Sequence, residues 1–161
     1  MPHIGIDTLK HVTDAFDVGW LGMGATTKEF EDRVSEFLGL TDRFFVATNT
    51  GTSALHVALL LAGVGPGDEV ITPSFNYVAD HQAIHMAGAQ VVMCDIRDDN
   101  LGIDCEKARS LITKKTKAII PLHFAGIPCD IDAVYELAGQ YNLRVIEDGM
   151  HAFGTTHRGK K

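Results

Sequence analysis

Between Asp68 and Asp95 the chain reads DEVITPSFNYVADHQAIHMAGAQVVMCD, and this stretch decides the fold. Glu69 to Thr72 and Gln90 to Asp95 are short runs rich in Val and Ile, with little polar alternation, as in strands buried on both faces. Between them a helix begins near Pro73-Ser74-Phe75-Asn76-Tyr77. A strand, a helix and a second strand in this order are the unit of a parallel sheet.

Working outward, the same alternation recurs. Phe44 to Thr48, Lys117 to Leu122 and Leu143 to Glu147 are further strand-like runs, so five βα steps are expected, with helices covering both faces of a mostly parallel sheet. Thr52 to Ala62 (TSALHVALLLA) is apolar nearly all round and is expected to be the most buried helix. Upstream, Thr26 and Glu29 have capping-box spacing. Phe30, Val34, Phe37 and Leu38 share one face of an amphipathic helix. Gly19 to Gly24, with three glycines in six residues, reads as a connecting loop. Two parts are expected: residues 1–25, a helix and loop, and residues 26–161, part of an α/β domain.

The balance of the whole chain limits its partners. Its 161 residues are one domain's worth of sequence, 45% of them hydrophobic, enough to bury a sizeable core. Acids outnumber bases, 21 against 14, which argues against a nucleic-acid partner. No apolar run approaches the ~20 residues that span a bilayer, so no membrane partner is expected. Met1-Pro2-His3 opens no secretory signal, and Cys94, Cys105 and Cys129 form no CxxC pair. A cytoplasmic location with three packing cysteines is the expectation.

In open parallel sheets ligands bind beyond the carboxyl ends of the strands. Thr48-Asn49-Thr50-Gly51-Thr52-Ser53 runs into the TSALHVALLLA helix, and its N–H groups, hydroxyls and glycine suit a phosphate cradle or an ordinary N-cap. Gly63-Val64-Gly65-Pro66-Gly67 follows a helix and precedes a strand, the reverse of the dinucleotide-binding order, and reads as a C-cap and turn. Tyr77 is either a stacking platform for a flat ligand or a core aromatic. Glu147-Asp148-Gly149-Met150-His151 brings carboxylates and an imidazole to the same edge, where an acid suits a cationic ring nitrogen or caps a helix. His123 is read as structural or supporting, His56 as a core histidine, and no metal-ligand spacing is evident.

Taken in order, TNTGTSALHVALL, GVGPGDEVITPSFNYVA, KAIIPLHFAGIPCDID and VIEDGMHAFG resemble the DegT/DnrJ/EryC1/StrS family of PLP-dependent sugar aminotransferases over nearly the whole chain. The resemblance implies the large domain of a fold-type I transferase, truncated before its last strands. It implies a homodimer that moves an amino group from an amino acid such as glutamate to a nucleotide-linked ketosugar, in polysaccharide or deoxyaminosugar biosynthesis. It assigns Gly51, Thr52 and Ser53 to the cofactor phosphate. Tyr77 falls to the face of the pyridine ring, Asp148 to its protonated nitrogen, and His151 to its phenolic oxygen. The family's Schiff-base lysine lies further along than Asp148. Lys160 and Lys161 match a surface hairpin before it, so the chain is expected to be a fragment that does not turn over alone. A catalytically dead binding module and a sugar dehydratase of the same family are the competing expectations.

Overall fold

The computed structural model describes residues 4–159, so Lys160 and Lys161 lie outside the described residues. The chain divides into two compact units, Met1–Ala47 and Thr48–Lys161. The division falls later than the 25/26 boundary expected from sequence because residues 45–47 fold back on the second helix. Glu31 Oε1 accepts the Ala47 N–H at 2.9 Å, and Phe30 meets Phe45 edge-on with ring centroids 5.8 Å apart.

The first unit contains α1 (Ile6–Val18) and α2 (Ala25–Leu38), each closed by a glycine in the left-handed region, Gly19 and Gly39. The expected capping box does not form. Gly24 is the N-cap, with the Trp20 ring against it where a side chain would stand, and Glu29 pairs with Arg33 one turn on at 2.5 Å. Val34 is buried, but Phe30 and Phe37 on the same face are about half exposed.

The second unit is the parallel sheet. After α3 (Gly51–Leu61) come β1 (Glu69–Pro73), α4 (Val78–Met86), β2 (Gln90–Cys94), α5 (Cys105–Leu111) and β3 (Thr116–Ile119). A 3-10 turn (Phe124–Gly126), α6 (Ile131–Tyr141) and β4 (Arg144–Val145) complete it. The strand order is β2-β1-β3-β4, all neighbours parallel. Both faces are covered, as the apolar strand runs require. Val70, Ala118 and Ile120 join Leu59, Ala83 and Ile84 in one core. Ile71 and Ile119 join Val134, Leu137 and Ala108 in the other. Successive strand residues therefore serve opposite cores, the period-2 rule applied to a two-sided sheet.

Two expectations are corrected. Phe44 to Thr48 is not a strand among the described residues: a strand exists through its ladder, and the Ala47 N–H is spent on a side-chain carboxylate while Phe44 is 93% exposed. The sheet therefore has four strands where five were expected. Nor is α3 the most buried helix. Only Leu59 is buried on it, whereas α4 and α6 bury four residues each. An all-apolar helix resting on a sheet covers one face only, and Leu60 and Leu61 point away from the core, 51% and 81% exposed. The turn after α3 is as expected, with Gly63 and Gly67 at positive φ.

Candidate functional site

The chain leaves β1, passes to β2 on one side, and crosses back over β1 to build β3 on the other. The loops after β1 and β3 therefore diverge, which is where an open α/β sheet forms its binding crevice. A cleft of about 490 Å³ lies there, within the range of small-molecule sites. Its walls are the N-terminus of α3 (Gly51, Thr52), the loop after β1 (Phe75, Asn76, Tyr77) and the loops after β3 and β4 (Phe124, Asp148, His151).

The α3 end presents backbone donors to this cleft. Thr50 caps the helix, its Oγ1 accepting the Ser53 N–H at 3.0 Å and lying 3.0 Å from the Ser53 hydroxyl. Ser53 is thus absorbed by the cap and does not line the cleft. Among the described residues no protein acceptor takes the Gly51 or Thr52 N–H, and both residues line the cleft. A Cβ on Gly51 would overlap Met150 Cε, so glycine keeps this approach open.

Asp148 lines the same cleft. Its main chain is locked to the β3 side by Asp148 N–H to Pro121 O at 2.9 Å and His123 N–H to Asp148 O at 3.1 Å. The Met150 N–H donates to Asp148 Oδ1 at 2.9 Å. Tyr77 is the residue before α4, 75% exposed, with its N–H on Asn76 Oδ1 at 2.7 Å. It is an accessible aromatic and not a core residue. Phe75, Phe124 and His151 form a second aromatic wall, with centroid spacings of 5.0 Å and 6.0 Å. His151 Nδ1 accepts the Ala125 N–H at 3.4 Å, so a neutral ring carries its proton on Nε2.

The sequence reading therefore brought five of its six candidates, Gly51, Thr52, Tyr77, Asp148 and His151, to one cleft, whereas Ser53 does not line it. It missed Asp80. This residue of α4 is fully buried, with Oδ2 accepting from Asn76 Nδ2, and burial and then the Asp148 charge push its carboxyl up from an ordinary 3.8 to about 7. Its signal was available: positions 80, 83, 84 and 87 have the spacing of a buried helix face.

His123 belongs elsewhere. Glu147 and Asp148 are neighbours in the chain and face opposite ways. Glu147 lies 3.0 Å from His123 Nε2 and accepts the Tyr135 hydroxyl at 2.7 Å, beside a separate cavity of about 320 Å³. His123 Nδ1 accepts the Cys129 N–H at 3.3 Å, so the imidazole is satisfied at both nitrogens, the structural role expected. The cysteines form no disulfide. Cys94 and Cys129 are buried, and no metal-holding cluster exists among the described residues. Among those residues no helix is long and apolar enough to cross a membrane.

Unpaired helix N–H groups, an exposed aromatic and a carboxylate lining one cleft are the kinds of group that a flat phosphorylated heteroaromatic cation such as pyridoxal phosphate requires. The comparisons agree. The chain resembles DesV of S. venezuelae, solved in complex with a ketimine intermediate, at 34% identity and a TM-score of 0.87 over 96% of this chain and 43% of that one. It resembles 3-amino-5-hydroxybenzoic acid synthase at 31% identity and 0.92, covering 99% of this chain and 42% of that one. A sugar aminotransferase described as putative, Spr1654 from Streptococcus pneumoniae, in its PMP form gives 34% and 0.90, covering 99% and 43%. The chain thus has the α/β fold of the PLP-dependent aminotransferases and spans under half the length of these relatives. The description of the matching family, which covers residues 2–161, completes the identification: the chain belongs to the DegT/DnrJ/EryC1/StrS aminotransferase family.

Proposed function

We propose that the chain is the amino-terminal, cofactor-holding part of a PLP-dependent aminotransferase. The complete enzyme acts as a homodimer on a nucleotide-linked ketosugar, with an amino acid such as glutamate as donor, in the cytoplasm. The observation that carries this is that Gly51 and Thr52, whose N–H groups have no protein acceptor among the described residues, line one cleft together with Asp148. The first pair of groups holds a phosphate dianion with the α3 dipole behind it. Asp148 holds a proton on a pyridine nitrogen, Tyr77 covers one face of the ring, and His151 offers Nε2–H to its phenolic oxygen. The bound cofactor supplies an electron sink for deprotonation at the amino-bearing carbon. No lysine lines the cleft among the described residues, so these side chains bind and orient while covalent attachment falls to a residue elsewhere.

The test is titration of the chain with pyridoxamine 5′-phosphate, which needs no Schiff-base lysine, followed by ring fluorescence. One saturable site is expected, weakened roughly 10-fold or more by Asp148→Asn, since a bond to a charged partner is worth about 1.5–3 kcal/mol. Borohydride reduction with pyridoxal phosphate should leave no stoichiometrically modified lysine. Equal affinity of wild type and Asp148→Asn refutes the placement of the ring nitrogen.

A further inference from the structure

We propose that Asp80 is a positioning residue for Asp148: buried beside it, the Asp80 carboxyl group acts as a protonated donor that fixes the orientation and single charge of the Asp148 carboxylate. The inference rests on the reading of the cleft given above and adds to it a residue that never touches the ligand.

Four observations lead here. Asp80 is 0% exposed, on the same buried face of α4 as Ala83 and Ile84. Its Oδ2 is occupied by the Asn76 amide, whereas its Oδ1 is buried with no donor among the described residues. An isolated buried carboxylate oxygen is costly. The ionisable group in hydrogen-bond relation to Asp80 is the Asp148 carboxyl, which is itself an acceptor. Two carboxylates in contact cannot both ionise cheaply, and one shared proton resolves the repulsion and supplies the missing donor together.

The proton belongs on Asp80. Asp148 is only partly buried, and its Oδ1 already accepts the Met150 N–H. Asp80 is fully buried, which favours its neutral form. The neighbouring groups support this polarity. Asn76 Oδ1 takes the Tyr77 N–H, which turns its Nδ2 toward Asp80 Oδ2 and toward Thr72 Oγ1 at 3.4 Å. A chain of oriented groups then runs from the backbone of Tyr77 through Asn76 and Asp80 to Asp148. The main chain of Asp148 is already locked; the bond from Asp80 removes the remaining freedom of its carboxyl plane. It also holds the pair at one negative charge, matched to one ring cation.

The experiment uses the full chain with aspartate 13Cγ labels and needs no activity. The resonance lost in Asp80→Asn should titrate near neutrality in wild type. In Asp148→Asn, a change at a partly exposed residue, its midpoint should fall by on the order of one unit or more. An Asp80 resonance titrating in the ordinary carboxylate range, or one indifferent to Asp148→Asn, overturns the proposal. In a second arm pyridoxamine 5′-phosphate is titrated at neutral pH. Asp80→Asn keeps a donor toward Asp148 and should bind within about 3-fold of wild type, while Asp80→Ala should bind roughly 10-fold more weakly. If Asp80→Ala matches wild type while Asp148→Asn does not, Asp148 works unaided and the proposal fails. If wild type does not bind at all, the cofactor reading itself is overturned and Asp80 has no ring to serve, even where the carboxyl pair is seen by NMR.

Discussion

Replacing Asp80 by Asn should make the stability of the chain less dependent on pH, and the sign follows from the direction of the shift. Asp80 is held at about 7 in the folded chain against an ordinary 3.8, because it is buried and faces Asp148. Between these values the folded state keeps a proton that the unfolded chain has released. Stability therefore falls as pH rises from about 4 to about 7 and is flat in this contribution above that. Roughly three units at about 1.36 kcal/mol each give on the order of 4 kcal/mol, a large share of the 5–15 kcal/mol available to a typical domain. Asn has the same shape, satisfies the same pocket and cannot ionise. Urea unfolding of both proteins at several pH values isolates the effect, because the exposed carboxylates cancel in the difference. The two should be close at pH 4, with Asp80→Asn the more stable at pH 8. A difference that stays constant within about 1 kcal/mol across that range would refute the reasoning.

Gly51→Ala should leave stability within about 1 kcal/mol, since Met150 Cε is a flexible end that can swing aside and alanine favours a helix, yet weaken pyridoxamine phosphate binding; calorimetry and fluorescence titration separate the two. Leu59→Ala should cost about 2–5 kcal/mol in urea unfolding, because Leu59 is fully enclosed in the core shared by α3, α4 and the sheet. Burial raises Cys94 and Cys105 to about 11 and Cys129 to about 12, so all three should alkylate with iodoacetamide at pH 8 far more slowly than free cysteine, and denaturant should abolish the difference.

The parallel sheet was legible because its central strands serve two cores at once. Val70 and Ile71, or Ala118 and Ile119, face the two cores in turn, so adjacent apolar residues stand where a one-sided strand would alternate with polar ones. The same signal misleads at Phe44 to Thr48. An apolar run records what a segment could bury, whereas a strand also needs a partner for its N–H groups, and the Ala47 N–H goes to Glu31. The α3 reading failed in a related way: composition shows that TSALHVALLLA tolerates burial all round, not how many faces the fold covers. Helix starts were the least legible. Trp20 against Gly24, a contact four residues apart in a loop, outweighs the Thr26/Glu29 pattern.

For the site, strand-end motifs led to the cleft because main-chain groups and short loops do the placing. Asp80 was hidden because an acid in the first turn of a helix is ordinarily a solvent-facing partner of the dipole, and only its spacing with Ala83, Ile84 and Ala87 shows otherwise. Glu147-Asp148 was ambiguous for a different reason. Along an extended segment adjacent residues take opposite faces, so a slip of one residue would exchange their roles. The pairing of Asp148 with Leu122 fixes the register, and each carboxylate then has its own task. Asp148 enters the cleft. Glu147 receives Tyr135 from α6 and faces His123 from the loop after β3, tying both to the end of β4. The second carboxylate thereby steadies the segment that carries the first. A change at Glu147 should therefore reach the cleft through the position of Asp148, although Glu147 does not line it.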